Sequence, residues 1–130
     1  MVNDPVADFI TRLQNAGMAG RTEVRLPYSI LKHRIAELLE EKGYIASLEK
    51  TGKDTKKELV VTLAEVDGKP RIHEVERISK PSRRLYTKAN DIGKVKGGRG
   101  MYVLTTSKGI LSDEDARKEG VGGELLFKIW

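Results

Sequence analysis

Three consecutive hydroxyl side chains, Thr105-Thr106-Ser107, stand directly before Lys108-Gly109. After a short acidic segment comes a glycine pair backed by a carboxylate, Gly122-Gly123-Glu124. Hydroxyls donate and accept hydrogen bonds, lysine supplies a point charge, and glycines let a backbone come close to another surface. An apolar core has no use for that combination, whereas a surface that recognises a polar, anionic partner does. Each part also has a plainer explanation taken singly: outward hydroxyls at a strand end, a glycine turn, and, for Tyr86, a core aromatic.

Catalytic chemistry finds less support. His33 and His73 have no acidic or second-histidine partner at a metal-ligand spacing. Asp113-Glu114-Asp115 lie in one helical turn, where they point around the helix and complement its dipole instead of converging on a metal. Ser107-Lys108 are adjacent, and neighbours in sequence rarely meet at one atom as a nucleophile and its base must. Gly97-Gly98-Arg99-Gly100 is glycine-rich but has neither a Walker spacing nor a GxGxxG pattern. No catalytic residue, metal site or cofactor is expected.

The chain has 130 residues, 38% of them apolar and 33% charged, which suits one modest domain or two small lobes. It has no cysteine, excluding disulfides and thiolate chemistry. With no long apolar run and no leader-like opening, an intracellular, soluble protein is expected. The net charge is +5. The excess lies between Arg77 and Arg99, where Arg77, Lys80, Arg83, Arg84, Lys88, Lys94, Lys96 and Arg99 face one acid, Asp91. A solvated loop face is the bland explanation, but so strong a bias favours phosphate contact. The last thirty residues, by contrast, carry four bases and five acids.

The elements that must position these residues follow from local signals. Asp4-Pro5 opens a helix with Val6, Phe9, Ile10 and Leu13 on one face and Gly17 as its stop. Residues 23–27 read as a short extended segment. Ser29 caps a second helix with Leu31, Ile35, Leu38 and Leu39 buried and Gly43 beyond its end. Its first turns carry Lys32, His33 and Arg34, which point either to a nearby anion or to an ordinary exposed basic turn. Residues 44–48, 59–64 and 71–78 read as strands. Ser79-Lys80-Pro81-Ser82 breaks the pattern, giving lobes at 1–78 and 79–130. Beyond it, residues 85–87, 101–106, 109–111 and 124–130 read as extended, the last with Leu125, Phe127 and Ile129 on one face. Ser112 caps a brief helix ended by Gly120. The fold class is α+β: an N-terminal α/β lobe with two helices on a three-stranded sheet, and a mainly β C-terminal lobe with one short helix.

Several blocks, in order and across nearly the whole chain, resemble the bacterial small-subunit ribosomal protein S-eight family. They are Asp4-Pro5-Val6-Ala7-Asp8 through Thr11-Arg12-Leu13-Gln14-Asn15-Ala16, Ile78-Ser79-Lys80-Pro81 with Arg84-Leu85-Tyr86, and Thr106-Ser107-Lys108-Gly109. Asp115-Ala116-Arg117-Lys118 and Gly122-Gly123-Glu124-Leu125, ending at Trp130, complete the set. The family's run usually reads Ser-Thr-Ser where this chain has Thr105-Thr106-Ser107, and an apolar family position is occupied by Arg99. The resemblance implies a two-lobe protein of the small ribosomal subunit. It would bind the central domain of 16S rRNA at an internal loop and help the subunit assemble beside neighbouring ribosomal proteins. Some members also bind a similar fold in their own operon's messenger RNA and repress its translation. Neither a membrane nor a small-molecule substrate is an expected partner.

RNA duplexes hide base edges in a deep major groove, so specific recognition favours distorted loops and the shallow minor groove. On this reading Thr105, Thr106 and Ser107 bond base edges and 2′-hydroxyls, while Gly122 and Gly123 allow close approach. Glu124 accepts from the hydroxyl loop or a base amino group, and Tyr86 stacks on a base or sugar. Lys108, Arg84 and Lys80 hold phosphates, with Lys32 and Lys56 as N-lobe contacts to the adjacent backbone. Two rivals stand beside it: a phosphate-handling enzyme built on the loop at 97–100, and an RNA-binding regulator that never joins a ribosome.

Overall fold

The first helix, α1 (Pro5–Met18), begins where its sequence demands, with the Asp4 carboxylate accepting from the Ala7 N–H at 3.1 Å and Pro5 in its first turn. The computed structural model describes residues 4–130. Val6, Phe9, Ile10, Leu13 and Ala16 form the buried stripe of α1. Gly17, expected to stop the helix, lies inside it. The reversal comes at Gly20, whose φ of +70° lets the Arg21 N–H reach the Ala16 carbonyl at 2.9 Å.

Strand β1 (Glu23–Pro27) follows, then α2 (Ile30–Glu41), capped by Ser29 accepting from the Lys32 N–H at 3.1 Å. After β2 (Ile45–Thr51), β3 (Glu58–Leu63) returns as the centre of an antiparallel sheet ordered β1-β3-β2. The third strand is therefore residues 23–27, not 71–78. Val24 and Leu26 alternate inward with three exposed neighbours, which suits an edge strand with one buried face. A small hairpin, β4 (Glu65–Val66) with β5 (Lys69–Pro70), ends this part. Helix α1 packs on β1 and α2, and α2 on β2, around Phe9, Leu13, Ile35, Leu39, Leu59 and Val61.

The chain divides into two compact units between His73 and Glu74, five residues before the division read from the sequence. The reason is β6 (Val75–Arg77), which pairs with the last strand, β10 (Gly123–Ile129). The break at 79–82 is an excursion inside the second unit. Lys80 and Arg83 exchange backbone hydrogen bonds at 2.9 Å across Pro81-Ser82. The buried Ser79 hydroxyl bonds the Leu85 N–H at 2.9 Å and the Leu85 carbonyl at 3.3 Å. The chain then rejoins the same edge of β10 as β7 (Tyr86–Thr87).

The other edge of β10 pairs with β8 (Met101–Thr106), which turns into β9 (Gly109–Ser112), giving the order β6-β10-β8-β9. Helix α3 (Asp113–Glu119) follows, capped by Ser112 and closed by Gly120 at φ +67°. Asp113 does more than complement the dipole. Its buried carboxylate accepts from the Tyr102 N–H at 3.2 Å and pairs with Arg117 at 3.1 Å. Glu114 pairs instead with Lys118.

The expected alternation of Leu125, Phe127 and Ile129 is interrupted. Leu125 lies opposite Leu104 while Phe127 lies opposite Val103, leaving Leu126 as an extra residue in a bulge. Its carbonyl accepts from the Ile78 and Ser79 N–H groups. Adjacent residues on a strand face opposite ways. Leu125 therefore joins Ile92, Leu104 and Ala116 under α3, while Phe127 and Ile129 are buried on the other face.

Candidate nucleic-acid interface

The beginning of β10 lies between β7 on one side and the end of β8 on the other, so three strands meet where the sequence reading places recognition. Tyr86, Glu124 and Thr105 are direct partners across these strands, as are Thr87, Gly123 and Thr106. Directly opposed residues share a face. Tyr86, Glu124 and Thr105 thus form one row, continued by Ile110 on β9.

At the next position the hydroxyl run leaves the sheet. Ser107 and Lys108 form the two-residue tip of the β8–β9 hairpin, and Gly109 at φ +104° takes a conformation that side-chain-bearing residues resist. Thr106 shapes this tip. Its hydroxyl donates to the Gly109 carbonyl at 2.8 Å and accepts from the Lys108 N–H at 3.1 Å. The Thr105 and Ser107 hydroxyls have no hydrogen-bond partner among the described residues. Ser107 is exposed at the tip, and Thr105 is half-buried in the row.

Tyr86 is 69% exposed, an unusual state for a ring of that size in a strand, so it is a surface ring and not a core aromatic. Beside it the Glu124 side chain is nearly covered and faces Arg84, whose guanidinium stands 3.5 Å from its carboxylate. The carboxylate is paired with arginine and not with the hydroxyl loop. Lys108 reaches back to Glu119 at the end of α3, 2.9 Å away. Both bases are therefore already oriented by acids of the same unit. Lys80 is exposed beside its turn.

Gly122 and Gly123 do serve close approach, but the near surface is the protein's own backbone. A Cβ on Gly123 would collide with the Thr105 carbonyl, and one on Gly122 with the Thr87 carbonyl and, at 2.8 Å, the Lys88 Cα. The pair lets β7, β8 and β10 crowd together at this end, which brings Tyr86 and Thr105 alongside Glu124.

Lys32 and Lys56 belong to the first unit. Lys56 is exposed and ends a short 3-10 turn. Lys32 is buried. Its ammonium donates to Asp8 at 2.9 Å and to the Pro27 carbonyl at 3.3 Å, so it ties α2 to α1 and has no charge to offer a phosphate. Burial pushes the Asp8 carboxyl up, but hydrogen bonds and charge from Lys32 and Arg12 outweigh it and hold the carboxyl below its ordinary value. Sequence reasoning missed Thr87 and Glu119. Thr87 lies in a two-residue strand too short to show alternation, and Glu119 meets Lys108 only after the chain has turned through β9 and α3.

Comparison with known proteins covers the same span as this geometry. A model of the family described as ribosomal protein S8 matches residues 4–130. Small ribosomal subunit protein uS8 of Chlorobium chlorochromatii is 46% identical over 130 residues, covering 99% of this chain and 98% of its own length. The proteins of the same name from Mycoplasmopsis pulmonis and Ectopseudomonas mendocina are 41% and 42% identical, each again covering 98% of its own length. From the cap of α1 to Trp130, the chain belongs to the ribosomal protein S8 family.

Proposed function

We propose that this chain is a structural protein of the small ribosomal subunit that binds the central domain of 16S rRNA directly. Its relatives are named as small-subunit proteins. The observation that carries the binding is the three-strand row Tyr86–Glu124–Thr105 beside the exposed tip Ser107–Lys108. An exposed ring, two unclaimed hydroxyls and an oriented carboxylate offer stacking, donors and acceptors to unpaired bases at an internal loop. Short side chains follow a shallow groove where arginine would be too long. Arg84 and Lys108 flank this row and, with Lys80 on its exposed turn, hold the flanking phosphates. Lys56, in the first unit, contacts the adjacent backbone. The chain would act in the cytoplasm, within the subunit and beside other ribosomal proteins, without catalysing a reaction. The same surface accepts a similarly folded internal loop in its own operon's messenger RNA, which would repress translation.

Sedimentation tests the reading. Labelled protein should co-migrate with small subunits reconstituted around 16S rRNA and bind the isolated central domain. Binding to RNA without entry into subunits would point to a stand-alone regulator. Failure to bind the central domain would sink the proposal.

A further inference from the structure

The other end of β10 carries a second concentration of positive charge. Trp130 is fixed there by reciprocal backbone hydrogen bonds with Glu74, both 3.0 Å. Two ammonium groups converge on its ring, Lys96 at 4.8 Å and Lys128 at 5.6 Å from the centroid. Lys128 is also paired with Glu76 at 3.5 Å, whereas Lys96 has no carboxylate partner among the described residues.

Lys96 is held there at a conformational cost. Its φ is +50°, followed by Gly97 at +66° and Gly98 at +96°. Glycine adopts this region freely, but a long side chain resists it. The loop is closed by the Gly98 and Gly100 N–H groups on the Val95 carbonyl and by the Arg99 N–H on that of Lys96. A third glycine at position 96 would make this loop more easily. An exposed base kept in a strained conformation, with an indole fixing its charge, points to a use for that charge.

We infer that Lys96, set against Trp130, is a second phosphate contact for the same RNA, at the opposite end of β10 from the hydroxyl hairpin. The inference rests on the RNA-binding reading above. Seven strand residues separate the two ends by about 20 Å. Exposed Lys80 and Arg83 precede Tyr86 in the chain, and exposed Lys88 and Lys94 lie between it and this loop. An extended phosphate backbone is the partner that rewards cations spread over such a length; a short acidic peptide would need one cluster.

Lys96→Gly tests it, because the substitution removes the charge and suits the loop. Filter binding of the full chain to a transcript of the 16S central domain is measured over a salt series. The expected result is a log–log salt slope reduced by about 0.7–0.9, with the melting temperature unchanged or raised. Lys96→Arg should restore the slope. Ser107→Ala, on the same transcript, should weaken binding and leave the slope alone. An unchanged slope for Lys96→Gly, with binding and the Ser107 effect intact, overturns this inference only. The same unchanged slope with poorer entry into subunits would assign the patch to a neighbouring protein and equally overturn it. A wild-type chain that does not bind the transcript overturns the underlying function.

Discussion

Thr106 and Ser107 are adjacent hydroxyls with different duties. Thr106 uses both its donor and a lone pair within the hairpin, while Ser107 is exposed and unclaimed. Ser107→Ala should therefore leave the melting temperature unchanged and cost about 1–3 kcal/mol in affinity for the central-domain RNA, as loss of a hydrogen bond made only in the complex. Thr106→Val should do the reverse first, lowering stability by about 0.5–1.5 kcal/mol in urea denaturation through loss of two intramolecular bonds. Weakened RNA binding would follow from the disturbed tip. That three hydroxyls would stand together at one place was readable from the run. Which hydroxyl the fold would consume was not, because that depends on the hairpin bringing Gly109 back beneath Thr106. Lys32 shows the same limit: its place in a first helical turn fits an anion outside, but tertiary packing supplies the anion as Asp8.

Between elements, the Lys32–Asp8 contact acts as a strut whose strength depends on pH. The Asp8 carboxyl is depressed in the fold, so its contribution is fully present above the unfolded value, 3.8, and is lost as pH falls through the lower folded value. Asp8→Asn should flatten the stability–pH curve in that acid window. Wild-type acid sensitivity in the variant, followed by circular dichroism, would remove the strut from the account. Strands meet a similar test at the glycine pair. Gly123→Ala forces a Cβ against the Thr105 carbonyl, so β8 and β10 must separate. We expect a loss of about 1–3 kcal/mol, as for overpacking, together with weaker RNA binding. Helix starts were legible because a cap and its helix are neighbours in sequence: Asp4, Ser29 and Ser112 all cap as read. Sheet membership was not. Residues 75–77 look like any short strand, and only β10, some fifty residues later, decides which sheet they join.

For the molecule as a whole, charge and shape are divided. The segment from residue 101 onward carries four bases and five acids, so the chain's positive excess lies elsewhere, chiefly in residues 77–99. Arg84 stands between the two, exposed to solvent while facing Glu124. Arg84→Gln should lower the salt slope by about 0.7–0.9 and, unlike Lys96→Gly, also reduce discrimination between cognate and mutated internal loops. Equal weakening on both RNAs would leave Arg84 a plain phosphate contact. This division depends on the bulge at Leu126. That residue resets the parity of β10: odd positions before it face α3, and odd positions after it face away. The same strand with Leu126 paired regularly opposite Leu104 could still make a continuous ladder with β8, but its two halves would count in step. With Phe127 and Ile129 held in their places, Glu124 would then turn to the face that packs under α3, and Gly123 to the face that carries Tyr86. The bulge thus keeps the Glu124 carboxylate off the α3 face and in the row with Tyr86 and Thr105.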